Sequence, residues 1–160
     1  MTETNCGGRL RGAMAVELLR RATPRFTRVE RGREAAGAST PVLISVTDFK
    51  PYRRRDVLGM VLAALRLRMG WYAIPGAVAL WLWAIPFDSR HPRRLWASGS
   101  VSVWTDAEAL HGFVQLPRHV DIMRQYRERG SLRSTTWASE RYDAKEVLER
   151  ARRWIEGQAA

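Results

Sequence analysis

The stretch GWYAIPGAVALWLWAIPF, residues 70–87, runs for eighteen positions without a charge. Eighteen apolar residues is the length at which a membrane-spanning helix becomes a candidate. Pro75 and Gly76 cut this one, because proline removes a helix donor and glycine weakens the turn beside it. Ala77 to Ile85 is then nine residues, and Pro86 stops it. Nine residues reach roughly 30 Å as a strand but only about 13 Å as a helix. The helix would be too short to cross a bilayer, and Arg66 and Arg68 interrupt any longer one upstream. A membrane span is therefore not expected. As a strand, the segment sets Val78, Leu80 and Leu82 on one face and Ala79, Trp81 and Trp83 on the other. Both faces are apolar, as in a strand buried on both sides. One face meets helices; the other has to meet a partner sheet, a ligand, or both.

Working outward, PVLISVTDF from Pro41 alternates and is β-branched, which predicts a strand. RRDVLGMVLAALRLRM predicts a helix starting near Asp56. After the apolar strand and the polar link PFDSRHPRR, LWASGSVSVW alternates strictly. Ser98, Ser100 and Ser102 share one face, and Ala97, Gly99, Val101 and Val103 the other. TDAE opens a helix in which Thr105 and Glu108 form a capping box. Pro117 must kink or split that helix. It resumes through RHVDIMRQYRERG and ends at Gly130. SLRSTTWASERY is a fourth strand. Asp143 caps a last helix with Val147, Leu148, Ala151, Trp154 and Ile155 at helical spacing. The order β-α-β-β-α-β-α predicts an α+β, ferredoxin-like βαββαβ unit with an extra C-terminal helix. It forms one domain over residues 41–157.

Residues 1–40 differ in kind. They hold eight Arg, four Glu and five Gly, with little hydrophobic periodicity. A flexible basic tail is expected there, dispensable for folding, with Met14 offering a second start. The single cysteine, Cys6, excludes a disulfide framework and a cysteine-rich metal site, so a reducing cytoplasm is expected. The formal net charge is +11, carried almost wholly by arginine. The charges are scattered and no nucleic-acid motif is present, so nucleic acid is not an expected partner. Trp and Arg together suit contact with a membrane surface more than a span.

Three features resemble the dimeric α+β barrel superfamily, which includes antibiotic-biosynthesis monooxygenases, small polyketide cyclases and haem-degrading monooxygenases. They are Pro75–Gly76 leading into the second strand, SVSVWTDAEALHGFV, and PRHVDIMR in the second half of that helix. Within the superfamily, SVWTDAEALHGFVQLPRHVDIMRQYRE is most similar to the spheroidene-monooxygenase-like proteins and their uncharacterised bacterial relatives. The resemblance covers Val42 to about Tyr142. It implies a homodimer whose sheets form a barrel, a cavity in each chain, and apolar or aromatic small-molecule substrates. It implies chemistry that is cofactor-free in some members and uses haem in others.

His119, just after the helix break at Pro117, is the candidate catalytic residue, as a general base near neutral pH or as a haem ligand. The place of the haem histidine in the haem-degrading members falls near Met123 instead. No histidine pair with an acidic third ligand has metal-site spacing, so no metal centre is expected. His111 reads as a surface or helix-packing residue and His91 as solvated. Strand parity groups Ser45 with Thr47, Trp81 with Trp83, and Ser98 with Ser100 and Ser102. Such faces would make a wall for a flat apolar ligand, with Met123, Tyr126 and Trp137 completing it. Two functions fit this pattern. One is a monooxygenase-like tailoring enzyme of secondary metabolism, or a cyclase or isomerase on the same fold. The other is a non-catalytic ligand-binding or interaction module.

Overall fold

The computed structural model describes residues 24–33, 41–53, 55–84 and 97–157, with backbone alone at 28–30. The link PFDSRHPRR with His91, and the remainder of residues 1–40, lie outside the described residues. The strand expected from Pro41 is β2 (Val42–Pro51), and the helix near Asp56 is α1 (Arg55–Met69). A 3-10 turn at Trp71–Ala73 leads to Gly76, whose φ of 70° lies in the left-handed region that glycine adopts without steric cost. That turn delivers the chain into the apolar strand, β3 (Ala77–Ala84). β4 (Ser98–Trp104) follows the link.

Pro117 splits the next helix in two, α2 (Ala107–Val114) and α3 (Pro117–Tyr126), with the proline in the first turn of α3 where no donor is needed. The cap of α2 sits one residue later than the capping box predicts. Asp106 Oδ1 accepts from the Ala109 amide at 2.8 Å, while Thr105 Oγ1 donates to Asp106 Oδ2. β5 (Gly130–Ser139) and α4 (Ala144–Ile155) complete the chain. Asp143 caps α4 as expected, its Oδ1 accepting from the Lys145 and Glu146 amides.

The strands form one antiparallel sheet in the order β1-β3-β4-β2-β5. Strands β2 to β5 with α1 to α3 give the ferredoxin-like arrangement. β1 (Arg25–Arg31) is an addition that corrects the tail expected over residues 1–40. It pairs with β3 from Arg25 opposite Ala84 to Arg31 opposite Ala79. Its Thr27 hydroxyl donates to the Leu82 carbonyl, and Phe26 packs against the core. Its alternation is masked in the sequence by arginines, which an edge strand tolerates because one of its sides stays open.

The two faces of the sheet are filled differently. On one side, Leu80 and Trp104 pack with Leu110 and Phe113 of α2, and Phe49 packs with Ala63 of α1 and Tyr126 of α3. On the other side, Ile44, Val46, Trp81, Trp83 and Val101 pack under Val147, Ala151 and Ile155 of α4. The chain's own last helix thus occupies the face that the sequence reserved for a partner sheet. Trp81 and Trp83 are 5% and 2% exposed without a second chain. The bare tryptophan face, which motivated the homodimer, is not bare.

A buried carboxylate helps seat α4. Asp48, on this face of β2, is 1% exposed. Arg133 of β5 donates to its Oδ2 from Nε at 3.0 Å and from a terminal guanidinium nitrogen. The same guanidinium reaches the Ile155 carbonyl at 3.4 Å and lies over the Trp154 ring. Arg133→Ala should therefore cost about 3 kcal/mol in urea unfolding. That is the low end for taking the partner from a buried charge, because Arg133 is itself 43% exposed and Lys50 stays 3.7 Å from Asp48. A chain beginning at Thr40 loses β1 and bares the β3 edge. It should aggregate at concentrations where the full chain stays dispersed, as light scattering would show.

Candidate functional site

The strand register separates the residues that parity had grouped into one wall. Ser45 lies opposite Ser102 and Thr47 opposite Ser100, all on the side that carries α1, α2 and α3. Trp81 lies opposite Val101 and Trp83 opposite Gly99, on the α4 side. Trp137, opposite Ile44, shares the α4 side, with the Arg150 guanidinium 4.8 Å from its ring. The hydroxyl ladder and the tryptophans thus line different layers. Met123 is exposed on α3, and Tyr126 is buried edge-on to Phe49 with ring centroids 6.1 Å apart. Neither reaches the tryptophans.

Two of the hydroxyls bond each other, and a third bonds a backbone carbonyl and an indole. Thr47 Oγ1 and Ser100 Oγ are 2.9 Å apart, and the Ser100 amide donates to Thr47 Oγ1. Ser102 Oγ donates to the Ser45 carbonyl at 3.3 Å and accepts from Trp104 Nε1 at 2.9 Å. Trp104 opens an aromatic run on the helix side. Its ring centroid is 5.0 Å from those of Trp71 and Phe113, and Phe113 is 4.7 Å from the imidazole of His119. His119 therefore belongs to the ladder's side of the sheet, not to that of Trp81 and Trp83. Trp71 and Phe113 join this cluster without having stood out in the sequence as site residues. The signal available was Phe113 one residue before the α2 C-terminus, on the same helix face as Ala109.

The joint between α2 and α3 sets the state of His119. Its Nδ1 lies 3.2 Å from the Val114 carbonyl. A carbonyl only accepts, so the proton sits on Nδ1 and the lone pair is on Nε2. Desolvation by burial holds the imidazole below its ordinary pKa of 6.5, and the bond to Val114 opposes that only in part. At neutral pH the group is a neutral imidazole with one basic nitrogen. On the same side, the buried indole Nε1 of Trp71 has no hydrogen-bond partner among the described residues.

A second feature lies at the opposite end of α3. A cleft of about 850 Å³ opens between the β2–α1 and α3–β5 connections, lined by Tyr52, Asp56, Gln125, Glu128 and five arginines. The arginines are Arg53, Arg55, Arg124, Arg127 and Arg129. Arg129 pairs with Asp56 at 3.6 Å and lies over the Tyr126 ring. The sequence scatters these charges, and the fold collects them. This polar, arginine-lined cleft does not suit haem. The residues thus give no support to haem. Among the described residues no group of three His, Cys, Asp or Glu could hold a metal ion. No described helix is long and apolar enough to cross a membrane.

The fold is ferredoxin-like. No family model matches the chain, and no curated protein does. Solved structures do. SnoaB, a cofactor-independent oxygenase from Streptomyces nogalater, shares 14% identity over 66% of this chain and 98% of its own, with a TM-score of 0.48. Protein SO0527 from Shewanella oneidensis shares 13% identity over 72% of this chain and 97% of its own, with a TM-score of 0.49. A dimeric ferredoxin-like protein of unknown function from Thermobifida fusca shares 12% identity over 62% of this chain and 92% of its own, with a TM-score of 0.48. These are likenesses of fold alone. A closer kinship with the spheroidene-monooxygenase-like group is not shown.

The geometry fixes a pH dependence. As pH falls through 6.5, the unfolded chain takes up the His119 proton before the folded chain does. His119 should therefore cost stability below pH 6.5 and leave it unchanged above. In a nuclear magnetic resonance titration its ring signals should turn over below 6.5. A midpoint above that value would contradict the half-buried, neutral state.

Proposed function

We propose that the chain is a monooxygenase-like tailoring enzyme in which His119 is the general base for an apolar or aromatic small molecule. The observation that carries this reading is the Nδ1 contact with Val114, which leaves Nε2 as a free acceptor on a neutral ring. A substrate C–H or O–H beside a carbonyl would give its proton to Nε2. The substrate anion and an imidazolium result, and the anion is the species that reacts with dioxygen in an oxygenase or closes a ring in a cyclase. The sequence resemblance supports a role in secondary metabolism, and the single cysteine supports a cytoplasmic setting. Homodimer formation belongs to this proposal too. With the α4 face filled, the two edges of the sheet, β1 and β5, are left to carry it, and β5 offers ten residues without a proline.

A second reading has its own observation. The Val114 bond and the Phe113 contact also make His119 a splint for the α2–α3 joint in a non-catalytic binding module. The two readings separate on one pair of variants. In the enzyme, His119→Ala keeps its melting temperature within a few degrees and loses about 10²- to 10⁴-fold in kcat on an acidic aromatic substrate. His119→Gln, which can still meet Val114 but cannot act as a base, should be equally inactive. If both variants instead unfold the chain, or if turnover survives in both, the catalytic role is excluded.

A further inference from the structure

Helix α1 is apolar on the side that meets the sheet and on the side that faces solvent. Ala63 is buried and Met60 packs beside it, as a surface helix requires. The outer side carries Leu58, Val61, Leu62, Leu65 and Met69, from 40% exposed at Leu65 to 81% at Met69. Leu58, Leu62, Leu65 and Met69 fall at spacings of four, three and four, which is one continuous row on a helix. Arg55 heads that row, and two exposed tyrosines flank the helix: Tyr52 before it and Tyr72 after it. A solvent-facing apolar row of this size on a small chain needs an occupant.

Charge decides which occupant fits. The N-terminal end of the row opens into the arginine cleft, where five guanidinium groups face two carboxylates, Asp56 and Glu128. Arg66 and Arg68 stand in the last turn of α1. A second copy set against this row would bring the same arginines face to face. Its one α1 acid, Asp56, is buried and already paired with Arg129. An anionic surface meets the same groups with opposite sign.

We propose that α1 and the cleft at its N-terminal end form a docking surface for an anionic phospholipid bilayer. The row from Leu58 to Met69 lies at the acyl boundary, and Arg53, Arg55 and Arg124 receive headgroup phosphates. The two tyrosines sit at headgroup level, where amphipathic aromatic rings are favoured. This surface does not involve His119.

The test is co-sedimentation of the full chain with vesicles of phosphatidylcholine, with and without phosphatidylglycerol. Binding is expected only to the phosphatidylglycerol vesicles, weakening as salt rises. Arg53→Gln with Arg55→Gln should weaken it roughly 30-fold. Leu62→Gln with Leu65→Gln should weaken it about tenfold or more. Met69→Gln, at the most exposed position, repeats the test should the double leucine variant melt early. The proposal is overturned by absence of binding to the anionic vesicles. It is overturned equally if binding ignores the leucine changes and inorganic phosphate alone displaces the chain, which marks a free-anion site. Leucine variants that turn a dimer into monomers with vesicle binding intact would assign the row to a second copy. Binding that vanishes with residues 1–23 and ignores the arginine changes would assign it to that segment. His119→Ala should bind vesicles like the parent chain, so failure of the catalytic reading and failure of this one are distinguishable.

Discussion

The seating of α4 on the sheet is the constraint on which the other features depend. A ferredoxin-like unit covers one face of its sheet with helices and leaves the other to be covered from elsewhere. Here that second face carries Trp81 and Trp83. A tryptophan side chain buries on the order of 150–250 Å², worth up to about 4–6 kcal/mol. Left in water, two of them would drive association. Asp143 starts α4 at the right place, and Val147, Ala151 and Ile155 present one apolar edge to the sheet. Arg133 then ties the end of the helix to the buried Asp48. The polar lock gives a fixed seat to a contact whose free energy comes mainly from apolar burial.

With that face closed by its own chain, the candidate site lies on the helix side. The hydroxyl ladder, the aromatic run of Trp71, Trp104 and Phe113, and the imidazole of His119 all lie there. The tryptophans that looked like ligand walls are packing residues. Pro117 matters because it ends one helix and starts another without an unsatisfied donor. The joint it creates brings Nδ1 of His119 within reach of a carbonyl freed at the end of α2.

Much of this was legible in the sequence because it depends on local rules. Period-two alternation located β2, β3 and β4 and split Leu80 and Leu82 correctly from Trp81 and Trp83. Asp143 and Pro117 marked helix starts by capping and by a missing donor. What alternation cannot give is which strand neighbours which. Ser100 and Trp81 each point to a definite side of their own strand, but only the register opposite Val101 and Thr47 says that the sides differ. β1 escaped because charge at an edge strand hides its period. The arginine cleft escaped because it joins residues 52–56 to residues 124–129 through two connections that only the fold brings together.

Gly99 shows how closely the two layers are joined. A β-carbon at this position would sit 1.9 Å from the Thr47 carbonyl oxygen and 2.7 Å from Trp83 Nε1. Without one, the indole of Trp83 crosses β4 and donates to that carbonyl at 3.0 Å. The hydroxyl of the same threonine bonds Ser100 on the opposite face. One residue, Thr47, is therefore held by its main chain from the α4 layer and by its side chain from the helix layer. The sheet here works less as a partition than as a rigid coupling: a shift of the tryptophan under α4 moves the strand that carries the ladder. A substitution at either surface of this strand is thereby felt at the other.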